Sequence, residues 1–123
     1  MKRLVITFAF VLSVLGLKAA DITTISNAFK GGNASSLTAV MDSEVDIAIP
    51  GTTKKSNAAG AVSALNSFFS SNKPSGFSVV HHADKKENGF FVGKLVTADN
   101  SFRVNVTYRT DGDKAIIQSI RIE

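Results

Sequence analysis

Past residue 20, apolar positions first recur every three or four residues. Ile22, Ile25 and Phe29 share one face of a helix that Asp21 can cap and that Gly31-Gly32 ends. Asn33 stands where it can cap a second short helix carrying Leu37, Val40 and Met41. The period then drops to two: Val45, Ile47 and Ile49 alternate with Glu44, Asp46 and Ala48 along a strand from Glu44 to Ile49 that Pro50-Gly51 terminates. Ser56 or Asn57 opens a third helix with the stripe Ala61, Val62, Leu65, Phe68 and Phe69. Gly60 weakens that helix by about 1 kcal/mol relative to alanine, and Lys73-Pro74 closes it. Four strands follow, Phe77 to His82, Phe90 to Thr97, Phe102 to Arg109 and Ala115 to Ile122, joined by Glu87-Asn88-Gly89, Asp99-Asn100 and Asp111-Gly112-Asp113.

The predicted order is ααβαββββ, an α+β chain in which an antiparallel sheet turns one apolar face to three amphipathic helices. In the strand Phe102 to Arg109, Phe102, Val104, Val106 and Tyr108 should face the helices, and Arg103, Asn105, Thr107 and Arg109 should face away. The last strand reads either way. With Ile116, Gln118, Ile120 and Ile122 outward, three isoleucines are exposed and a weak homodimer through that face is expected; the opposite parity leaves Ile117, Ser119 and Arg121 outside. The third helix, wrapped by the sheet, should hold Phe68 nearer the centre than Phe29, so Phe68→Ala is expected to destabilise more.

The first twenty residues have a different character. Met1-Lys2-Arg3 precedes a short apolar run from Leu4 to Leu17, and Ala19-Ala20 precedes Asp21. This is the layout of a secretory signal peptide, too short to span a bilayer. The expected division is a signal peptide at residues 1–20 and one domain at residues 21–123, exported to the periplasm or the extracellular space with no membrane attachment after cleavage. Lys2, Arg3 and Lys18 leave with the signal, so the 14 Lys/Arg fall to 11 against 10 Asp/Glu, a net charge of +1. That balance, with no clustered basic surface, disfavours nucleic acid. The chain has no cysteine, which excludes disulfides, a thiol nucleophile and a zinc-thiolate site.

The element order, with Ala28-Phe29-Lys30-Gly31-Gly32-Asn33-Ala34-Ser35-Ser36-Leu37, resembles the opening of nuclear-transport-factor-2-like (ketosteroid-isomerase-like, SnoaL-like) domains, in which a helix ends at a Gly-Asp-type turn. Asn33 replaces the usual acidic residue. The C-terminal segments Phe102-Arg103-Val104 and Ile116 to Glu123 look like those of a small family of secreted bacterial proteins of unknown function. The resemblance implies a cone-shaped, cystatin-like roll: a curved sheet around a long helix, with a cavity that some relatives use for catalysis and others for binding.

Candidate chemistry is sparse. His81 and His82 are adjacent on a strand, point to opposite faces and cannot chelate one metal together. His82 and Asp84 share a face if the strand continues, although a surface histidine pair is the plainer reading. Asp42, Glu44 and Asp46 would project three carboxylates from one strand face, as a solvated edge or a cation site. Tyr108, the single tyrosine, could donate a hydrogen bond in an apolar pocket as ketosteroid-isomerase-like enzymes do, but no aspartate occupies an obvious inward position beside it. The Gln-x-Val-x-Gly hairpin of cystatin-type inhibitors is missing, as are the nucleotide, metalloprotease and serine-hydrolase motifs. The expectation is a non-catalytic small-molecule-binding or interaction domain of unknown specificity, in which Tyr108, His81, His82 and Phe68 would line a site for an apolar small molecule, without cofactor or metal. The alternative is a lyase or isomerase using Tyr108 and one of the histidines.

Overall fold

The computed structural model describes residues 22–84, 87–111 and 114–123. The leader at 1–20, the Asp21 cap and the turn positions Lys85-Lys86 and Gly112-Asp113 lie outside the described residues. Helix α1 covers residues 22–31 and ends in a Schellman turn: Asn33 N–H donates to the Ala28 carbonyl at 2.8 Å and Gly32 N–H to that of Phe29 at 3.2 Å, with Gly32 at φ +66. The segment expected as a second α-helix is a 3-10 helix, Ala34–Val40, and the Asn33 side chain does not cap it. The Ser36 and Thr38 hydroxyls donate to the carbonyls of Asn33 and Ser35, three residues back, local bonds that suit the tighter turn. Leu37 is buried, and Met41 already belongs to the first strand.

The strands are β1 (Met41–Ile49), β2 (Thr52–Ser56), β3 (Pro74–Asp84), β4 (Asn88–Thr97), β5 (Ser101–Asp111) and β6 (Lys114–Ile122), with helix α2 (Ala58–Ser71) between β2 and β3. They form one curved sheet in the order β2-β1-β6-β5-β4-β3. Two features differ from the sequence expectation. Strand β2 is additional: Pro50-Gly51, with Gly51 at φ +86, reverses the chain so that Ile49 pairs Thr52. The sheet is also mixed, because β1 returns beside β6 in parallel.

Asn57 caps α2 by accepting from Gly60 N–H at 2.8 Å. A Cβ at Gly60 would displace the Ser56 hydroxyl from its present position. Ala61, Val62, Leu65, Phe68 and Phe69 are buried as the stripe predicts. They pack with Ile25, Phe29 and Leu37 on Val45, Ile47, Val104, Val106 and Ile120 in one core.

Rings fill the interior. Phe29 stacks on Phe77 at 5.1 Å and meets Phe69 edge-on at 5.9 Å; Phe68 meets Phe69 at 5.9 Å and Phe102 at 5.2 Å; Phe77 meets Phe91 at 6.4 Å. Phe29 is 0% exposed against 6% for Phe68, so the end of α1, not α2 alone, reaches the centre of the core.

Irregularities in the ladder decide which side chains face out. Between Val79↔Gly93 and His81↔Val92, β3 carries Val80 as an extra residue. Between Thr107↔Ser119 and Tyr108↔Ile117, β6 carries Gln118. That second bulge switches the parity of β6, so Ala115, Ile117, Ile120 and Ile122 all enter the core and the three-isoleucine outer patch does not form. Ile116 stays on the outer face, opposite Arg109, yet is only 9% exposed.

Candidate functional site

The face of the sheet turned away from the helices carries the polar half of each strand. Strand alternation sends Arg103 and Thr107 outward with Asn105 between them, and the bulge at Gln118 brings Ser119 and Arg121 into register with Thr107 and Asn105. On the other side of β6, Asp46 and Ala48 of β1 align with Ser119 and Arg121 and, across β1, with Lys55 and Thr53 of β2. Together with Lys54 these residues line a depression of about 720 Å³. Lys55 and Asp46 are 3.8 Å apart and both well exposed, a weak pair. Among the described residues, Lys54, Arg103 and Arg121 have no carboxylate partner.

A second depression, of about 690 Å³, continues over β5, β4 and β3, and Arg103 and Glu123 border both. Its lining differs in kind: Val80, Val92, His81 and Phe102 surround Lys94 and Arg103. The bulge pushes Val80 to 63% exposure, and Val80, Phe90 and Val96 are the exposed large hydrophobic residues among those described. The His81 ring lies 5.8 Å from that of Phe90.

The sequence-derived candidates are spread over both faces of the sheet. Tyr108 is wholly buried and stands directly across from Gly89. His81 is on the outer face, in register with Val92; His82 has the inward parity of Phe91 but is exposed near the end of β3. His82 and Asp84 do share a face in register, although the Asp84 side chain lies outside the described residues. Phe68 belongs to the ring chain of the core.

The three carboxylates of β1 are also separated. The ladder between Met41 and Asp46 is irregular. Asp42 turns to Arg109, accepting from Nε at 2.8 Å and from a terminal nitrogen at 3.4 Å, while Asp46 turns to Lys55. The Arg109 hydrogen bond, followed by that from Ser43 N–H, holds the Asp42 carboxyl below its ordinary range. This pair links β1 to β5 across β6, and Arg109 stands in register with Ile116. No group of three potential metal-ligating side chains occurs among the described residues.

Sequence alternation was sufficient to place Arg103, Asn105 and Thr107 on the outer face, whereas Arg121 joins them through the bulge at Gln118. The joining of Lys94, His81 and Val80 to them was not readable. Lys94 does break an apolar alternation, Phe90-Val92-Lys94-Val96, but only the strand order makes it a neighbour of Arg103.

Comparison with known proteins supplies the family. The model for the Domain of unknown function (DUF4783) matches residues 22–123, and the chain belongs to that family. A crystal structure of a DUF4783 protein from Bacteroides uniformis is 34% identical, with TM-score 0.77 over 82% of this chain and 94% of that chain. One from Bacteroides fragilis is 35% identical, with TM-score 0.75 over 80% and 93%. An NTF-2 like protein of unknown function from Silicibacter pomeroyi, 11% identical, aligns with TM-score 0.65 over 94% and 97%. It shares the fold, a nuclear-transport-factor-2-like cone. No curated protein matches the chain in sequence.

Proposed function

We propose that this DUF4783 protein is an exported, non-catalytic binding module that takes its ligand on the outer face of the sheet. The observation that carries this reading is the pair of adjoining depressions bordered by Arg103 and Glu123, with Arg103, Arg121 and Lys94 uncompensated by carboxylates among the described residues. Concave sites with a few convergent polar groups are the usual form of small-molecule sites. The chain of stacked phenylalanines supports the same reading from the other side, because it occupies the space between sheet and helices where relatives of this fold place a cavity.

The non-catalytic part of the reading rests on Tyr108 and the histidines. Acid–base chemistry needs the groups within hydrogen-bond reach of one substrate. Tyr108 is sealed in the core, His81 is on the opposite face of the sheet, and His82, on the face of Tyr108, is exposed near the end of β3. Export is inferred from the basic, apolar and small-residue layout of residues 1–20 and from a family match that begins at residue 22.

Native mass spectrometry of protein purified from its own host tests the reading. The expected result is a copurifying adduct that is lost when Arg103→Glu and Arg121→Glu are combined. An adduct retained by that variant and lost in Tyr108→Phe would place the site in the cone and overturn the proposal.

A further inference from the structure

We propose that the depression over β3, β4 and β5 is a site for an amphipathic anion, an apolar chain or ring bearing one carboxylate. The carboxylate sits between Lys94 and Arg103, and the apolar body lies over Val80 and Val92. This inference rests on the outer-face reading and adds the chemical class of the ligand.

The first argument is electrostatic. Lys94 and Arg103 are direct partners in the β4–β5 register, and like charges placed directly opposite destabilise a sheet. Neither has a carboxylate within ion-pair distance among the described residues. Glu123, the acidic residue of this depression, is held beside Arg103 by two backbone hydrogen bonds, 2.7 and 2.9 Å, and its side chain forms no ion pair among the described residues. A local rule broken without a visible compensating contact marks a site where an external group supplies it.

The second argument is the apolar surface next to these cations. Burying exposed hydrocarbon is favourable wherever it can be covered, and the bulge at Val80 turns an apolar side chain out of the sheet beside Val92. The adjoining depression is lined mainly by charged and hydroxyl or amide side chains, so apolar lining and unpaired positive charge coincide over β3–β5. The volume, about 690 Å³, lies within the usual range for small-molecule sites. A second copy of the chain is the poorer occupant. A two-fold contact brings the same surface onto itself, so a patch rich in Lys94, Arg103 and Arg121 would be set against another patch of the same sign.

Titration with octanoate, acetate and octylammonium, followed by amide chemical shifts, tests the site. Octanoate should shift Val80, Val92, Lys94 and Arg103 saturably, while acetate, which lacks the tail, and octylammonium, which has the wrong charge, should not saturate in the same range. Lys94→Gln and Arg103→Gln should each weaken octanoate by about tenfold, as expected for loss of a charge-assisted hydrogen bond. The exposed Val80→Ser should weaken it with the spectrum otherwise native. Equal binding of acetate or octylammonium, indifference to Lys94→Gln, or no saturation by octanoate would each overturn the proposal. So would a dimer formed through this face that octanoate does not dissociate. All these results leave the host-derived adduct and its dependence on Arg103 and Arg121 as a separate test of the outer-face reading.

Discussion

Tyr108 and Gly89 face each other across β5 and β4, and the phenol ring occupies the space a side chain on Gly89 would need. A Cβ at Gly89 would come within 2.7 Å of the Ala83 carbonyl oxygen, 2.8 Å of the Tyr108 hydroxyl and 2.9 Å of its ring. Four residues along β4, the Phe77 ring likewise occupies the space a Cβ on Gly93 would need, this time from a diagonal position opposite Leu95. Aromatic rings laid over strand glycines let a curved sheet close on its core without leaving a gap.

Gly89→Ala should therefore destabilise the fold by roughly 1–3 kcal/mol, the usual range for overpacking a filled site. Gly31→Ala, with open space around its Cβ and a negative φ in the last turn of α1, should be neutral or stabilise by up to about 1 kcal/mol. Urea melts of the two variants check the contrast. Equal effects would mean that the ring does not occupy the Gly89 site.

Phe29→Ala should cost at least as much as Phe68→Ala, both within roughly 3–5 kcal/mol. Phe29 is fully enclosed between Phe69 and Phe77, while Phe68 retains some exposure and leans on the half-buried Phe102. This reverses the order expected from helix position. Denaturant midpoints showing Phe68→Ala clearly the worse would put the core centre back on α2.

That reversal shows where the sequence stops being readable. Alternation in β5 identified its inward and outward residues, and the stripe of α2 identified its buried face, because both elements are regular. Strand β2, Thr52-Thr53-Lys54-Lys55-Ser56, has no apolar residue to mark it and exists through its pairing with β1. The bulges at Val80 and Gln118 each change the facing of every following residue, and no residue at either position announces one. The outer site was hidden for the same reason: its cations come from β2, β4, β5 and β6, and only strand order and bulge placement gather them.

The Asp42–Arg109 pair predicts a pH response. A carboxyl whose folded pKa is depressed stabilises the fold above its unfolded value, about 3.9, and that contribution disappears as the pH falls through the lower folded value. The wild type should lose thermal stability between about pH 5 and pH 2 more steeply than Asp42→Asn, and the two curves should converge at the acid end. Parallel curves would mean that Asp42 is not coupled to Arg109 in solution.

Exported protein should begin at Ala20, Asp21 or within a residue or two, since residues 1–20 have the signal layout and Ile22 already packs in the core. N-terminal sequencing of material from outside the cytoplasm checks this. Recovery of Met1 would show an uncleaved leader.

The central claim, that ligand is held on the outer face of the sheet, is tested most directly by a crystal structure of the protein purified from its own host. The account predicts ligand density against Lys94, Arg103 and Arg121, with the ring chain from Phe102 through Phe68, Phe69 and Phe29 to Phe77 undisturbed. Density inside the cone beside Tyr108, with any of those rings displaced to admit it, would contradict it.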